Sequence, residues 1–178
     1  MRKIIESTFV TLDGVVSAPE KWSAPYWDEQ HDEYSGALLR DADALLLGRT
    51  TYQLFAGSWP ERSGDWYSDR INALPKYVAT NTLTDLTWNA QALDGDVVDA
   101  VRKLRDEGDG TLLKFGTGEF SKVLLEHQLV DEYHFWVFPV LAGQGSRLFD
   151  GRPMTHLTLV DAVRFKSGIV VHKAVPNR

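Results

Sequence analysis

Four consecutive residues, Gly48-Arg49-Thr50-Thr51, have the chemical groups that a phosphate-binding turn needs, and they follow a short apolar run at 44–47. A glycine lets the backbone approach a ligand, a threonine can cap a helix, and an arginine binds phosphate through paired hydrogen bonds. The alternative is a plain turn from strand to helix with an arginine on the surface. These four residues alone do not separate the two interpretations.

A second stretch, Phe115-Gly116-Thr117-Gly118-Glu119-Phe120, repeats the order of strand, glycines and helix. Asn81 and Thr82 end a strand pattern that lies between the two stretches. In an open α/β sheet, ligands bind beyond the carboxyl ends of the strands, where helix N-termini present free N–H groups. Two such turns at one edge would hold the separate phosphates of a dinucleotide. The spacing differs from the G-x-G-x-x-G fingerprint, and we interpret Gly143-Gln144-Gly145-Ser146 as a flexible loop.

The elements that must position these turns alternate between strand and helix periodicity. Strand patterns cover residues 3–12, 43–48, 76–80, 111–115, 131–140, 156–165 and 168–175, with a short β-type run at 86–88. Helix patterns cover residues 28–39, 51–56, a polar segment ending near 74, 97–104 and 120–127. This order predicts one α/β domain, residues 1–178, whose largely parallel sheet has an antiparallel C-terminal hairpin.

Composition excludes several classes of function. The chain has 178 residues, 43% of them hydrophobic, which is enough for one continuous core. Its net charge of -6 argues against a broad surface for nucleic acid or anionic membrane. Without cysteine there is no disulfide framework and no thiol nucleophile. No signal peptide or long apolar span is evident, so we expect a cytoplasmic protein.

Metal binding has no support in the sequence. The five histidines are His31, His127, His134, His156 and His172. None of them falls in a spacing typical of metal ligands, so we expect no metal site.

Taken together, these motifs resemble the dihydrofolate reductase-like superfamily, and within it the reductase domain of bacterial riboflavin-biosynthesis proteins and its stand-alone relatives. The matching stretches are Thr11-Leu12-Asp13-Gly14, LLLGRTTY, KYVATNTL, FGTGEFSKVLLEHQLVDEYHFWVFPVLAGQGSRLF and the closing hairpin. The likeness therefore covers nearly the whole chain. It implies a dihydrofolate reductase-like fold and an NADPH-dependent reductase that transfers hydride to a small heteroaromatic or ribosylaminopyrimidine-like substrate.

The resemblance also implies which residues hold the cofactor. The residues toward the phosphates of NADPH would be Gly48, Arg49, Thr50, Thr51, Asn81 and Thr82. Those on the pyrophosphate and nicotinamide side would be Gly116, Thr117, Gly118, Glu119 and Phe120. Arg49, with Asn81 and Thr82, would lie toward the adenosine 2′-phosphate. Dihydrofolate reductases join two adjacent glycines by a cis peptide at the second turn, and whether the Gly116-Thr117 peptide is cis is left open.

Hydride transfer to a C=N bond also needs a proton donor, or a carboxylate that polarises the ring. The resemblance places this acid on the helix before the first turn, where Asp28 and Asp32 lie one helical turn apart. Asp32 has the spacing to Gly48 expected of dihydrofolate reductases, whereas Asp28 better suits the stand-alone relatives. Both are catalytic candidates. Their alternative role is to complement the helix dipole.

Three residues are candidates for substrate binding. Asp13 lies in a Thr-Leu-Asp-Gly turn that is similar to the Ser-Leu-Asp-Gly turn of the riboflavin-type reductases, although it could serve only as a turn residue. Trp22 and Trp27, in the long loop before the first helix, could stack on a heteroaromatic substrate or anchor the loop in the core.

The aromatic run Tyr133, Phe135, Trp136 and Phe138 has too many large side chains for one face of a sheet. It predicts a strand that is buried on both sides, and a two-fold homodimer would supply the second cover. Two other classes of function remain open. One is a non-catalytic NADPH- or nucleotide-binding regulatory module, and the other is a dimeric scaffold without a ligand.

Overall fold

The computed structural model describes residues 1–177, which form eight β-strands and five α-helices around one sheet. The strands are β1 (Lys3–Thr11), β2 (Ala42–Gly48), β3 (Lys76–Ala79), β4 (Ala90–Ala92), β5 (Thr111–Phe115), β6 (Glu132–Phe138), β7 (Leu157–Arg164) and β8 (Val170–Pro176). The helices are α1 (Glu29–Asp41), α2 (Arg49–Ala56), α3 (Trp66–Ala73), α4 (Val97–Asp106) and α5 (Glu119–Glu126). Two short 3-10 helices, Pro19–Lys21 and Ala24–Tyr26, lie in the loop after β1.

The strands pair in the order β4-β3-β2-β5-β1-β6-β8-β7. Pairing is parallel from β4 to β6 and antiparallel between β6, β8 and β7. This confirms the predicted fold class. Because β3, β2, β5 and β1 run in parallel, their carboxyl ends meet at the same edge of the sheet.

The short strand beside β3 begins later than the sequence predicts. We expected a β-type run at 86–88, whereas β4 covers Ala90–Ala92. Trp88 and Asn89 have φ angles of 58° and 53°, in the left-handed region where a strand cannot continue. The Trp88 indole donates to Asn72 Oδ1 at 2.6 Å, which anchors this turn against α3.

Helices cover both faces of the sheet. On one face, side chains of α1, α2 and α3 pack on β2, β3 and β5. The buried residues of that cluster are Leu39, Ala42, Leu45, Leu47, Tyr52, Ile71, Leu74, Val78 and Leu113. On the other face α4 and α5 pack through Val98, Val101, Leu104 and Leu124. The three leucines of β2 are therefore divided between the two cores, which holds the turn after β2 in place.

The aromatic run of β6 is covered in part by its own chain. Trp136 and Phe138 lie in a cluster with the hairpin of β7 and β8 and with side chains of the loop after β1. On the opposite face Tyr133 stacks on Phe135 at 5.3 Å and meets Phe149 edge-on. The face with Trp136 and Phe138 is thus buried within the chain, whereas Phe135 and Val137 on the other face are only half-buried.

The edge strand β7 is exposed instead. Leu159 and Val160 are 56% and 50% exposed there. An apolar strand at a sheet edge invites pairing with another chain. The homodimer stays a prediction, and β7 is a second surface, beside the half-buried face of β6, on which it can be tested.

Candidate functional site

The first turn ends β2 and opens α2 without a side-chain cap. Gly48 is the N-cap residue, and within residues 1–177 the helix has no side-chain cap hydrogen bond. Arg49 and Thr50 are exposed at this end. Within residues 1–177 the Arg49 guanidinium makes no hydrogen bond or ion pair. Uncapped N–H groups beside an unpaired cation favour an anionic ligand.

The second turn lies directly against the first. Gly116 has a φ angle of 72°, and a Cβ atom built there would lie 2.8 Å from Thr51 Oγ1. A Cβ atom on Gly48 would lie 3.6 Å from the Cβ of Phe120. The sequence prediction that the two glycine turns share one edge is therefore confirmed. Among residues 1–177 every peptide bond is trans, which includes the bond between Gly116 and Thr117.

Asn81 and Thr82 reach the same edge from β3. Ala79, the last residue of β3, pairs with Gly48, so the loop that follows begins beside the first turn. Both side chains are exposed. The backbone N–H of Thr82 donates to Thr80 Oγ1 at 3.3 Å. A short loop of polar side chains therefore flanks the first turn on the side away from the second.

A buried ion pair lies beneath the second turn. Lys114 of β5 and Glu6 of β1 are register partners, and Lys114 Nζ lies 3.3 Å from Glu6 Oε2. Both side chains are almost completely buried. Burial lowers the pKa of Lys114, while the charge of Glu6 opposes that effect. This pair is not among the predicted site residues, although its signal is present in the sequence as single charged residues inside the apolar runs KIIESTFV and TLLKF.

The ion pair holds the second turn through hydrogen bonds. Lys114 Nζ donates to the Gly116 carbonyl and to Ser121 Oγ, each at 2.6 Å. Thr117 Oγ1 donates to Glu6 Oε1 at 2.9 Å and lies 2.7 Å from Thr8 Oγ1. The backbone of the second turn is thus fixed from below, while Gly118 and Glu119 remain exposed above it.

Glu119 has partners of its own on the surface. Its Oε1 accepts from Lys122 Nζ at 2.7 Å, and this bond lowers the pKa of Glu119. The Glu119 carboxylate therefore carries a negative charge beside the second turn, and the ammonium group of Lys122 balances that charge.

Asp28 serves as the N-cap of α1. Its Oδ1 accepts from the His31 backbone N–H at 2.8 Å, and its Oδ2 accepts from the Ser167 N–H at 3.1 Å. The bond from His31 is the main reason that the pKa of Asp28 is lowered. A carboxylate held ionised by two backbone donors is poorly suited to donate a proton. The structure thus gives Asp28 a structural role, and its catalytic role stays a prediction.

Asp32 lies on the outer side of α1. Its side chain is 79% exposed, and Oδ1 lies 3.0 Å from Nδ1 of His31. Asp32 is therefore not directed into the protein, whereas His31 beside it is. The sequence analysis assigned no function to His31.

Asp13 fastens the turn after β1 to the loop after β6. Its carboxylate accepts from Thr11 Oγ1 at 2.6 Å and from the backbone N–H groups of Ala142 and Gly143. These bonds, the Thr11 bond first, lower the pKa of Asp13 to about 2. These bonds occupy positions on the Asp13 carboxylate at which a substrate would otherwise donate a hydrogen bond. The proposed contact of Asp13 with substrate stays untested.

The two tryptophans of the loop after β1 lie in different surroundings. Trp22 donates its indole N–H to the Ser17 carbonyl at 3.1 Å and packs edge-on against Phe138 at 5.2 Å. Trp27 is 52% exposed and stacks on the imidazole of His31, with ring centroids 4.9 Å apart. Trp22 therefore anchors the loop, whereas Trp27 lies at the surface above His31.

Residues 1–177 contain neither a metal-binding cluster nor a membrane-spanning helix. No group of three or more histidine, aspartate or glutamate side chains is arranged to hold a metal ion in this part of the chain. In the same residues no helix is both long enough and apolar enough to cross a membrane.

Solved structures of other proteins share this fold. A candidate riboflavin biosynthesis protein from Shewanella sp. PV-4 superposes with a TM-score of 0.81 at 20% identity, over 99% of each chain. A pyrimidine reductase-like protein from Corynebacterium diphtheriae superposes with a TM-score of 0.64 at 15% identity, over 99% of this chain and 92% of that protein. Acinetobacter baumannii RibD superposes with a TM-score of 0.71 at 13% identity over 99% of this chain. The match spans 58% of the RibD chain.

Sequence comparison agrees with the structures. The chain is 25% identical to YyaP, an uncharacterized protein of Bacillus subtilis (strain 168), over 95% of this chain and 92% of YyaP. Residues 2–171 match the family of RibD C-terminal domains. The resemblance drawn from the motifs is thereby confirmed, and the chain belongs to the RibD C-terminal domain family, within the dihydrofolate reductase-like fold.

Proposed function

We propose that this protein is an NADPH-dependent reductase that transfers hydride to a small heteroaromatic or ribosylaminopyrimidine-like substrate. Membership of the RibD C-terminal domain family supports a reductase role in general terms. The use of NADPH and the class of substrate are proposed in addition to this general role. The observation that carries them is the contact between the two glycine turns at one edge of the sheet.

The residues at this edge fit a dinucleotide phosphate. Gly116 lets the two turns meet where a side chain would collide with Thr51, and the uncapped end of α2 offers N–H donors. Arg49 adds a cation without a protein partner among residues 1–177. We assign Arg49, with Asn81 and Thr82 beside it, to the adenosine 2′-phosphate. Bound NADPH would supply the hydride.

The protein's own residues would keep the second turn rigid. Thr117 and Gly116 are held from below by Glu6 and Lys114, so the backbone that meets the cofactor does not have to reorganise on binding. Preorganised polar groups of this kind make binding and catalysis more effective because no ordering cost arises at that step.

The test is a screen for NADPH oxidation with pterins, ribosylaminopyrimidines, quinones and imines, followed through the absorbance of the reduced nicotinamide. We expect at least one compound of the first two classes to be reduced, and NADPH to raise the melting temperature of the protein. If NADPH neither binds nor stabilises the protein, the proposal is wrong.

One observation favours a second candidate, a non-catalytic NADPH-binding module. Asp28 is engaged by two backbone donors and Asp32 is exposed, so neither carboxylate is placed as an obvious acid. This candidate predicts that NADPH binds but is not oxidised with any compound in the screen. Oxidation with one compound excludes it.

A further inference from the structure

His31 is a buried polar side chain with one unpaired nitrogen. The residue is 6% exposed, and within residues 1–177 its Nε2 atom has no hydrogen-bond partner. Its Nδ1 atom lies 3.0 Å from the exposed Asp32 carboxylate. Nε2 itself is buried, and the rings of Phe9 and Trp136 pack against the imidazole with centroids 5.8 and 5.3 Å away. Buried polar atoms are normally paired, so this one points to a ligand.

His31 and the second glycine turn lie beside adjacent residues of β1. Thr8 contacts Thr117 of that turn through their hydroxyl groups, 2.7 Å apart. Phe9, the next residue of β1, contacts His31. Because successive side chains of a strand point to opposite faces, His31 and the second turn flank the same part of β1 from its two sides.

Trp27 covers His31 at the surface of this region. Its indole is 52% exposed and stacks on the imidazole at 4.9 Å. Among the described residues its indole N–H has no hydrogen-bond acceptor. Displacement of Trp27 would open the aromatic cluster around His31 to a flat ligand of similar shape.

We propose that Nε2 of His31 hydrogen-bonds to a ring nitrogen of a planar nitrogen heterocycle and donates the proton that this nitrogen needs. The proposal rests on the proposed reductase function. The substrate carbon gains a hydride with its electron pair from NADPH, the adjacent nitrogen gains the proton, and the imidazolium becomes neutral imidazole that solvent reprotonates. Asp32 is a positioning residue that keeps the other proton on Nδ1.

Two substitutions of His31 separate contact from proton transfer. Glutamine can still donate a hydrogen bond but cannot donate a proton, and phenylalanine keeps the ring that stacks on Trp27. With the compound that the wild type reduces fastest, His31→Gln and His31→Phe should both slow single-turnover hydride transfer by about 10²–10⁴-fold. His31→Phe should also weaken binding of lumazine, a flat pteridine, whereas His31→Gln should not.

The neighbouring Glu33→Gln is the matched control, because Glu33 is an exposed acid of the same helix. It should leave the rate unchanged. Asp32→Asn should slow transfer less than the His31 substitutions do. A rate within about threefold of wild type in His31→Phe would overturn the proposal, since general acid catalysis contributes far more.

A second readout does not depend on turnover. In ¹⁵N spectra of the histidine rings, saturating lumazine should shift the Nε2 signal of His31 and leave those of His127 and His156 in place. Asp32→Asn should alter the tautomer signature of His31 before lumazine is added. If no compound is reduced, the reductase function fails, while a shifted Nε2 signal still supports the contact. An unmoved signal, or no lumazine binding, overturns the proposal.

Discussion

Replacement of Lys114 by methionine removes one half of the ion pair beneath the second turn and keeps most of the side-chain volume. Glu6 would then be a carboxylate with no exposed surface and no cation beside it. The Gly116 carbonyl and Ser121 Oγ would also lose the donor that now lies 2.6 Å from each. We therefore expect Lys114→Met to lower the free energy of unfolding of the domain and to distort the backbone of the second turn.

The expected cost follows from the burial of both partners. Removing one member of a buried ion pair costs about 3–5 kcal/mol because the remaining charge is left without compensation. Domains of this kind have unfolding free energies of about 5–15 kcal/mol. Lys114→Met should therefore still fold at low temperature without denaturant, but its urea midpoint should be much lower than that of the wild type. Glu6→Gln should cost less, since its amide oxygen can still accept from Thr117.

A double-mutant cycle measured by urea unfolding tests this reasoning. The variant with both Lys114→Met and Glu6→Gln should be more stable than the sum of the single costs predicts, by about 2 kcal/mol or more, because no uncompensated charge remains. Lys122→Met is the matched control. Its partner Glu119 is exposed, so the loss should stay below about 1 kcal/mol. Additive costs in the cycle, or equal losses for the two lysines, would contradict the assignment.

Three further predictions concern the turns, the loops and the sheet edge. Gly116→Ala should cost about 1–3 kcal/mol in unfolding free energy and weaken NADPH binding, because φ is 72° and Thr51 Oγ1 lies in the way. Gly118→Ala should leave the unfolding free energy nearly unchanged, since among residues 1–177 its Cβ would meet nothing within 4 Å. The pKa of Asp13 falls from 3.8 unfolded to about 2 folded, so the stability advantage of wild type over Asp13→Asn should be full above pH 5 and vanish as pH drops toward 2; an advantage unchanged at pH 2 would refute this. Light scattering should find a dimer for wild type and a monomer for Leu159→Arg, and a monomeric wild type would exclude the dimer.

The sequence predicts the elements that local patterns control. The apolar run before Gly48 and the strand before Gly116 both read as buried strands that end in glycine, and the alternation around them specifies a parallel sheet. That is enough to bring the two turns to one edge. The shift of β4 was missed because a left-handed conformation is unusual for a tryptophan such as Trp88, although Asn89 is of a type that adopts it more often.

The assignment of acids could not be settled from the sequence for a different reason. Asp28 precedes a helix, which suits an N-cap as well as an acid, and its second donor, Ser167, is distant in the chain. The inward direction of His31 depends on packing of α1 against β1 and β6. The Glu6 and Lys114 pair likewise depends on the register of two strands that are far apart in sequence.

The central claim is that the edge formed by the two glycine turns binds NADPH and that Arg49 recognises its 2′-phosphate. Calorimetric titration of NADPH and NADH into wild type and Arg49→Ala tests it most directly, with the exposed Arg102→Ala of α4 as the control. We predict that Arg49→Ala weakens NADPH by about 10–100-fold, as expected for charged hydrogen bonds to phosphate, and changes NADH by less than about threefold. Equal losses for both nucleotides, or no binding of NADPH to wild type, would contradict the account.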